Sequence, residues 1–482
     1  MMSENKNLMG TKEAVFMAVA AVLALRSIPM VAGYGPSAIA IWLVAALFMI
    51  IPLSMVCGEL ATGWPKDGGI FVWVKEAFGA RIGWVSTVCF LFSCVVFFPL
   101  MLQFGFAAVS GNLLSPELAE NKVFIGVGSA LIFWVLTLIN MRGLKFTNIV
   151  NSLSVYLGIF IPAAIIGLIA IYWVLSGRPM QTDYVSETAK FIPDFSKLSN
   201  IVLASSAMFA FAGLEVTGMV AGRMKNPQRD FPRSMIIASL LIVGIYTLAT
   251  VAINTIFPAD KLNVVSGISQ SIDFASKELG ISWLSGVIGG CLFFGAIGQI
   301  NSWLVGPIYM FQEAATEAKI LAPDSIAVRM HPVHDTPYMA MVIQAILVTI
   351  MCFSSFLSES LEGAYWILSA MTTVCYFIPY LLMFSAYMVL RKTRMDVHRS
   401  FVIPGKVLPY VISGMGLASI IFAIAILFIP PEGIEMGNFW LDTAQIFGGA
   451  VIAIIFSIVL YNRGQKRNAS SEHLLTPKKV NM

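Results

Sequence analysis

Long apolar runs alternate with short polar connections from near the first residue to about residue 462. A hydrocarbon core about 30 Å thick takes roughly 20 apolar residues per helix. Runs of that length recur at 12–32, 37–61, 82–112, 123–140, 147–175, 198–222, 234–257, 281–314, 336–357, 362–390, 406–429 and 440–462. The pattern predicts an all-α integral membrane protein with twelve transmembrane helices. Composition agrees: 58% of the 482 residues are hydrophobic and 12% charged, whereas a soluble domain is about a quarter charged. Water would meet apolar patches larger than a soluble chain tolerates, so the lipid bilayer is the expected solvent.

Charge sets the expected orientation. With both termini cytoplasmic, 23 of the 30 Lys and Arg fall in cytoplasmic segments, six in outer connections, and Arg26 alone within a span. Lys and Arg are retained inside, so the split predicts an even number of spans in an inner, plasma-type membrane. The acids share no such bias and leave Glu59 and Glu215 within spans. A net charge of +4 does not imply a nucleic-acid partner.

The longest connection, about 176–197, is too short for a catalytic domain, and no nucleophile constellation, nucleotide loop or metal-ligand cluster is visible. Neither an enzyme nor a cofactor is expected. Cys57, Cys89, Cys94, Cys291, Cys352 and Cys375 lie in apolar runs without a CxxC pair and read as small core residues. His331, His334, His398 and His473 lie in connections or the tail and read as surface groups. The first residues lack a small-residue cleavage site, so the first span is expected to stay. The short polar segment 463–482 is expected to be disordered.

Interrupted helices offer the candidate site, because free backbone groups at the midplane can hold a solute where they line a cavity. In the first span Arg26-Ser27-Ile28-Pro29 precedes a glycine-rich stretch, and proline removes a helical donor, so an opening is expected near 26–29. In the sixth, Phe209-Ala210-Phe211-Ala212-Gly213-Leu214-Glu215 places glycine and a carboxylate mid-run, with Gly218 beyond. Breaks five spans apart suit two five-helix inverted repeats, 12–175 and 198–390, followed by two further helices in 406–462. Arg26 and Glu215 each cost about 2.5–3.5 kcal/mol at a helix centre on insertion scales, and such groups mark pathways. The alternatives for Arg26 are a structural pair with Glu215 or snorkelling. Glu59 suits a pair with a loop base as well as gating.

Three motifs carry a resemblance: GWPKDGGIFVWV from Gly63 with Lys75-Glu76-Ala77-Phe78-Gly79 after it, KNPQRDFPRS from Lys225, and SWLVGP from Ser302. They resemble the amino acid/polyamine/organocation transporters, and within them the glutamate/GABA antiporter-like branch. The resemblance implies a LeuT-like inverted-repeat fold and a secondary transporter of an amino acid or its amine product, exchanged across the membrane. It places substrate contacts at Arg26, Ser27, Ile28, Phe209, Ala212, Gly213, Glu215 and Trp303, and path-lining or gating tyrosines at Tyr376 and Tyr380. Two departures are visible. Some proton-coupled relatives carry a lysine in helix five where Gly158 stands, which favours exchange over lysine-driven symport. Some antiporters carry a longer C-terminal plug than the roughly twenty residues that follow the last span.

An antiporter is therefore the expected function, with proton-coupled symport and a non-transporting amino acid sensor as the alternatives. Arg26 suits an acidic side chain, since guanidinium and carboxylate form paired contacts; if Glu215 neutralises it, a neutral substrate is favoured. Glu215 is also the candidate carrier of a proton.

Overall fold

The structure is a computed structural model that describes residues 9–475 other than 66–67, 143–152, 188, 197, 216–223, 323–324, 333, 335 and 432. The described chain is helical, with ten helices long and apolar enough to cross a membrane and one bent pair that crosses together. The bent pair is α1 (Thr11–Val22) and α2 (Leu25–Ala32), at 45° to each other. There follow α3 (Ser37–Gly63), a short α4 (Ile70–Phe78), α5 (Ala80–Leu114), α6 (Lys122–Met141), α7 (Leu153–Leu175) and the short apolar α8 (Ile201–Ala210). Then come α9 (Arg229–Ile256), a short α10 (Gly267–Glu278), α11 (Trp283–Glu317), α12 (Tyr338–Leu357), α13 (Leu361–Thr393), α14 (Leu408–Ile426) and α15 (Phe439–Leu475).

In lipid every backbone donor and acceptor must be met within the span, and a helix does so by itself. The outward faces are correspondingly apolar: Leu131, Leu168, Ile171, Leu240 and Ile452 are more than half exposed. Burial ranks the helices from centre to rim. In α13 and α5, 83% and 78% of the most apolar window is buried in protein, against 28% in α15. The two inner helices pack along each other and form one wall of the central cavity.

Eleven of the expected spans fall on the ten long helices and the bent pair, while the sixth, 198–222, is represented among the described residues by the short α8. Part of the fifth (147–152) and of the sixth (216–222, with Gly218) lies outside them. Two local expectations change, at the first break and in the tail. The first break lies at Leu23–Ala24, whose backbone is extended, rather than at 26–29. Pro29 sits in the first turn of the second half, where no intrahelical donor is required of it. The connections carrying α4 and α10 are helical, with α4 and α10 lying between spans. The tail is helical through Leu475 rather than disordered from 463. It is held there because Gln465 and Asn468 donate to the carbonyls of Ala318 and Lys319 at the end of α11, at 3.3 and 2.8 Å, groups a helix leaves without partners.

Candidate functional site

The break in the first span and the end of α8 meet at α9. The Ala24 amide donates to the Tyr246 hydroxyl at 2.9 Å, and that hydroxyl in turn lies 3.0 Å from the Val22 carbonyl and 3.3 Å from the Ala210 carbonyl. One phenol thus serves backbone groups on either side of the first break and at the end of α8. Stacking of Trp42 on Tyr246, 4.6 Å between centroids, fixes the ring, and Trp42 Nε1 donates to Thr250 at 2.9 Å. Farther along, Asn254 Nδ2 donates to the Ala32 carbonyl at the end of α2, at 3.0 Å. Neither residue stands out in the sequence, because a tyrosine and an asparagine inside a long apolar helix give no sign of which neighbouring backbone they serve.

After α8 the chain turns at 211–215. Gly213 has φ +113°, a conformation open to glycine, and a Cβ there would lie 3.1 Å from the Ala21 carbonyl and 3.2 Å from the Trp303 ring. Glycine thereby lets the two breaks approach. Its amide is 3.1 Å from both Glu215 Oε2 and the Tyr380 hydroxyl. Glu215 is fully buried, and Tyr376 and Tyr380 of α13 each donate to one of its carboxylate oxygens.

Arg26 is 3% exposed, and its guanidinium lies between the rings of Phe97 and Phe209, 5.2 Å from each centroid. Its Nε has no hydrogen-bond partner, and the buried Tyr365 hydroxyl lies close to the guanidinium. Arg26 forms no ion pair with Glu215 or another carboxylate among the described residues. The structural pair that the sequence left open is therefore absent, and so is snorkelling. Two desolvated cation–π contacts, each about 2 kcal/mol, offset part of the cost of burying the charge.

A cavity of about 30 Å³ opens beside this cation, lined by Arg26, Ser27, Phe209, Ala212, Trp303 and Tyr376 among others. That space takes about one or two waters, too little for an amino acid. Of the ten expected residues these six line it. Gly213, Glu215 and Tyr380 form the hydrogen-bonded layer behind Tyr376, while Ile28 is fully buried without lining the cavity. Trp303 packs edge-on against Phe97 and Tyr376, 6.5 and 6.2 Å between centroids.

The wall also includes Ser93, Cys94 and Phe97 of α5, Gln299 of α11 and Thr372 of α13, which the sequence reading missed. Their signal was weak: a small polar residue in an apolar run is as often bonded to its own helix. Ser93 and Thr372 do bond their own helices, at 2.6 and 2.7 Å. At Gly158 a Cβ would fall 2.0 Å from Gly295 Cα, so α7 and α11 cross backbone to backbone and no side chain fits there.

The pattern of the amino acid permease family matches residues 9–458. The chain is 31% identical, over 98% of its length and the whole of the relative, to an uncharacterised transporter of Legionella pneumophila. It is 29% identical to a glutamate/gamma-aminobutyrate antiporter of Lactococcus lactis, over 88% of this chain and 84% of that one. A probable agmatine/putrescine antiporter of the same species is 24% identical over 98% and 99%. The chain belongs to the amino acid permease family, within the amino acid/polyamine/organocation transporters.

Proposed function

We propose that this protein is a secondary amino acid antiporter. Twelve spans, ten of them in two inverted repeats, alternate access to a site between the first and sixth helix breaks, with both termini cytoplasmic in an inner membrane. The observation that carries the substrate reading is Arg26, a buried guanidinium held against two aromatic rings beside the cavity and paired with no carboxylate among the described residues. A buried cation without a counterion is costly, and a substrate carboxylate meets that need.

In this reading the half-helix amide ends of the two breaks receive the α-carboxylate, and Arg26 pairs with an acidic side chain such as glutamate's. Ser27, Phe209 and Ala212 line the pocket, with the buried Ile28 and Gly213 next to them in the chain. Trp303, Tyr376 and Tyr380 gate it, since a cavity of about 30 Å³ must widen before any amino acid enters. Of the antiporter relatives, the glutamate/gamma-aminobutyrate type fits this cation better than the agmatine/putrescine type, because Arg26 occupies the aromatic cage that an amine would need and repels it. The counter-substrate is then a related amino acid that keeps a carboxylate.

Proteoliposomes loaded with unlabelled amino acids and offered labelled ones test substrate and mode together. Glutamate entry only into loaded vesicles is expected, with Arg26→Ala reducing it about 100-fold, the loss of one buried charged contact of roughly 2.7 kcal/mol. Unchanged uptake by Arg26→Ala refutes the assignment. Entry into empty vesicles driven by a proton gradient would favour symport, for which Glu215 is the candidate carrier.

A further inference from the structure

One face of α13 carries two separate holds on buried carboxylates. Tyr376, Tyr380, Met383, Tyr387 and Arg391 fall within about 80° of one another at 3.6 residues per turn. The first two donate to Glu215 beside the second helix break. The last two hold Glu59 of α3: Tyr387 donates to Oε2 at 2.8 Å, and Arg391 Nη1 donates to Oε1. Between the holds, Met383 Sδ lies 3.6 Å from Cys57 Sγ of α3.

The connection after α13 folds back and completes the lower hold. Arg399 Nη1 donates to Glu59 Oε1 at 3.1 Å and the Ile403 amide to Oε2 at 2.9 Å. Arg399 Nη2 returns to the carbonyls of Leu390 and Arg394, at 3.0 and 2.9 Å. Glu59 is 1% exposed.

The seam between α13 and α5 differs in kind. It is the most extensive packing that α13 makes, through rings such as Phe90 against Tyr376 at 5.2 Å, with the buried Cys89 and Cys375 near each other. Apolar helix seams shear in small steps. A seam built on a buried carboxylate does not, because sliding strips donors from a charge that water cannot reach.

We propose that Glu59 is a positioning residue of the transport cycle: with Tyr387, Arg391 and Arg399 it locks α13 to α3, so that both move with the Glu215 segment as one body while the sliding seam runs between α13 and α5. The proposal rests on the transport reading above. Its consequence is that the gating tyrosines travel with the second helix break rather than with the wall that carries Ser93 and Phe97.

Two thiol bridges, one in each seam of α13, test it in proteoliposomes. One chain keeps Cys57 and adds Met383→Cys; the other keeps native Cys89 and Cys375; the remaining cysteines are alanine in each. Mercuric ion bridges each pair and dithiothreitol releases it. The bridged 57–383 chain is expected to exchange substrate within about threefold of its released form, and the bridged 89–375 chain to lose about tenfold or more. The opposite pattern overturns the proposal, as does failure of the 57–383 pair to bridge.

Glu59→Gln, which keeps one carbonyl acceptor, is expected to lower the maximal exchange rate about tenfold with KM within about twofold. An unchanged rate, or a loss confined to KM, also overturns it. Should the released chains exchange no amino acid, the transport reading fails separately. Nitroxide pairs then still report the body: a single narrow α3–α13 distance and a broad α5–α13 one are expected, and the reverse overturns the proposal.

Discussion

Two buried carboxylates, Glu59 and Glu215, are held by opposite means. Glu59 meets two guanidinium groups, a phenol and a backbone amide, so its charge is compensated inside the protein. Glu215 meets two phenols and one amide, and no cation among the described residues pairs with it. Meanwhile Arg26, the cation beside the cavity, pairs with neither. A compensated charge is an internal fastening. An uncompensated acid and base in facing breaks leave a site whose electrostatics are completed by what enters it.

If that distinction is sound, the largest stability loss comes from the fastening. Glu59→Leu removes the acceptor shared by Arg391 and Arg399 and strands both cations, of which Arg399 is 7% exposed at its side chain. Breaking one side of a buried ion pair costs about 3–5 kcal/mol, and thermal unfolding in detergent should show a fall of several degrees. A loss below about 1 kcal/mol, the range of exposed pairs, would mean that the lower hold fastens nothing. Next is the phenol that joins the breaks. Tyr246→Phe keeps the stacked ring but leaves the Ala24 amide and the Val22 carbonyl without the hydroxyl, a cost of about 1–3 kcal/mol for a buried group left unmet. Unfolding and exchange are both expected to suffer, since the same hydroxyl serves structure and site.

Much of this was legible in the sequence, and for one reason. Lipid forces each span to declare itself as an apolar run, so the helices fall where the runs do. Arg26 and Glu215 were conspicuous because charge is rare within such runs. What the runs do not encode is which partner a polar group finds. The sequence left Arg26 open to a pair with Glu215, while the structure gives the acid to two tyrosines 161 and 165 residues away in another helix, at positions visible only through family resemblance. Pro29 suggested a break at its own position, yet proline is compatible with a helix start, and the chain opens at Leu23–Ala24 instead. Tyr246 gave no signal at all. Its role depends on three carbonyls and amides brought together from two other segments, a property of packing and not of spacing.

The smallest stability effect is expected at Glu215, which sharpens the contrast most. Glu215→Gln keeps an oxygen to accept from one tyrosine, and its amide can donate to the hydroxyl of the other, since a phenol both donates and accepts. The hydrogen bonds survive rearranged, so unfolding should move by no more than about 1 kcal/mol, a neutral bond replacing a charged one. Exchange should nonetheless fall about tenfold or more, because an amide cannot take up or release a proton and the charge facing Arg26's side of the site is gone. The measurement is the pair of values on one preparation: thermal unfolding, and counterflow over a range of pH. A variant that loses stability like Glu59→Leu, or one that exchanges at the native rate with the native pH profile, would place Glu215 with the fastenings and erase the difference between the two acids.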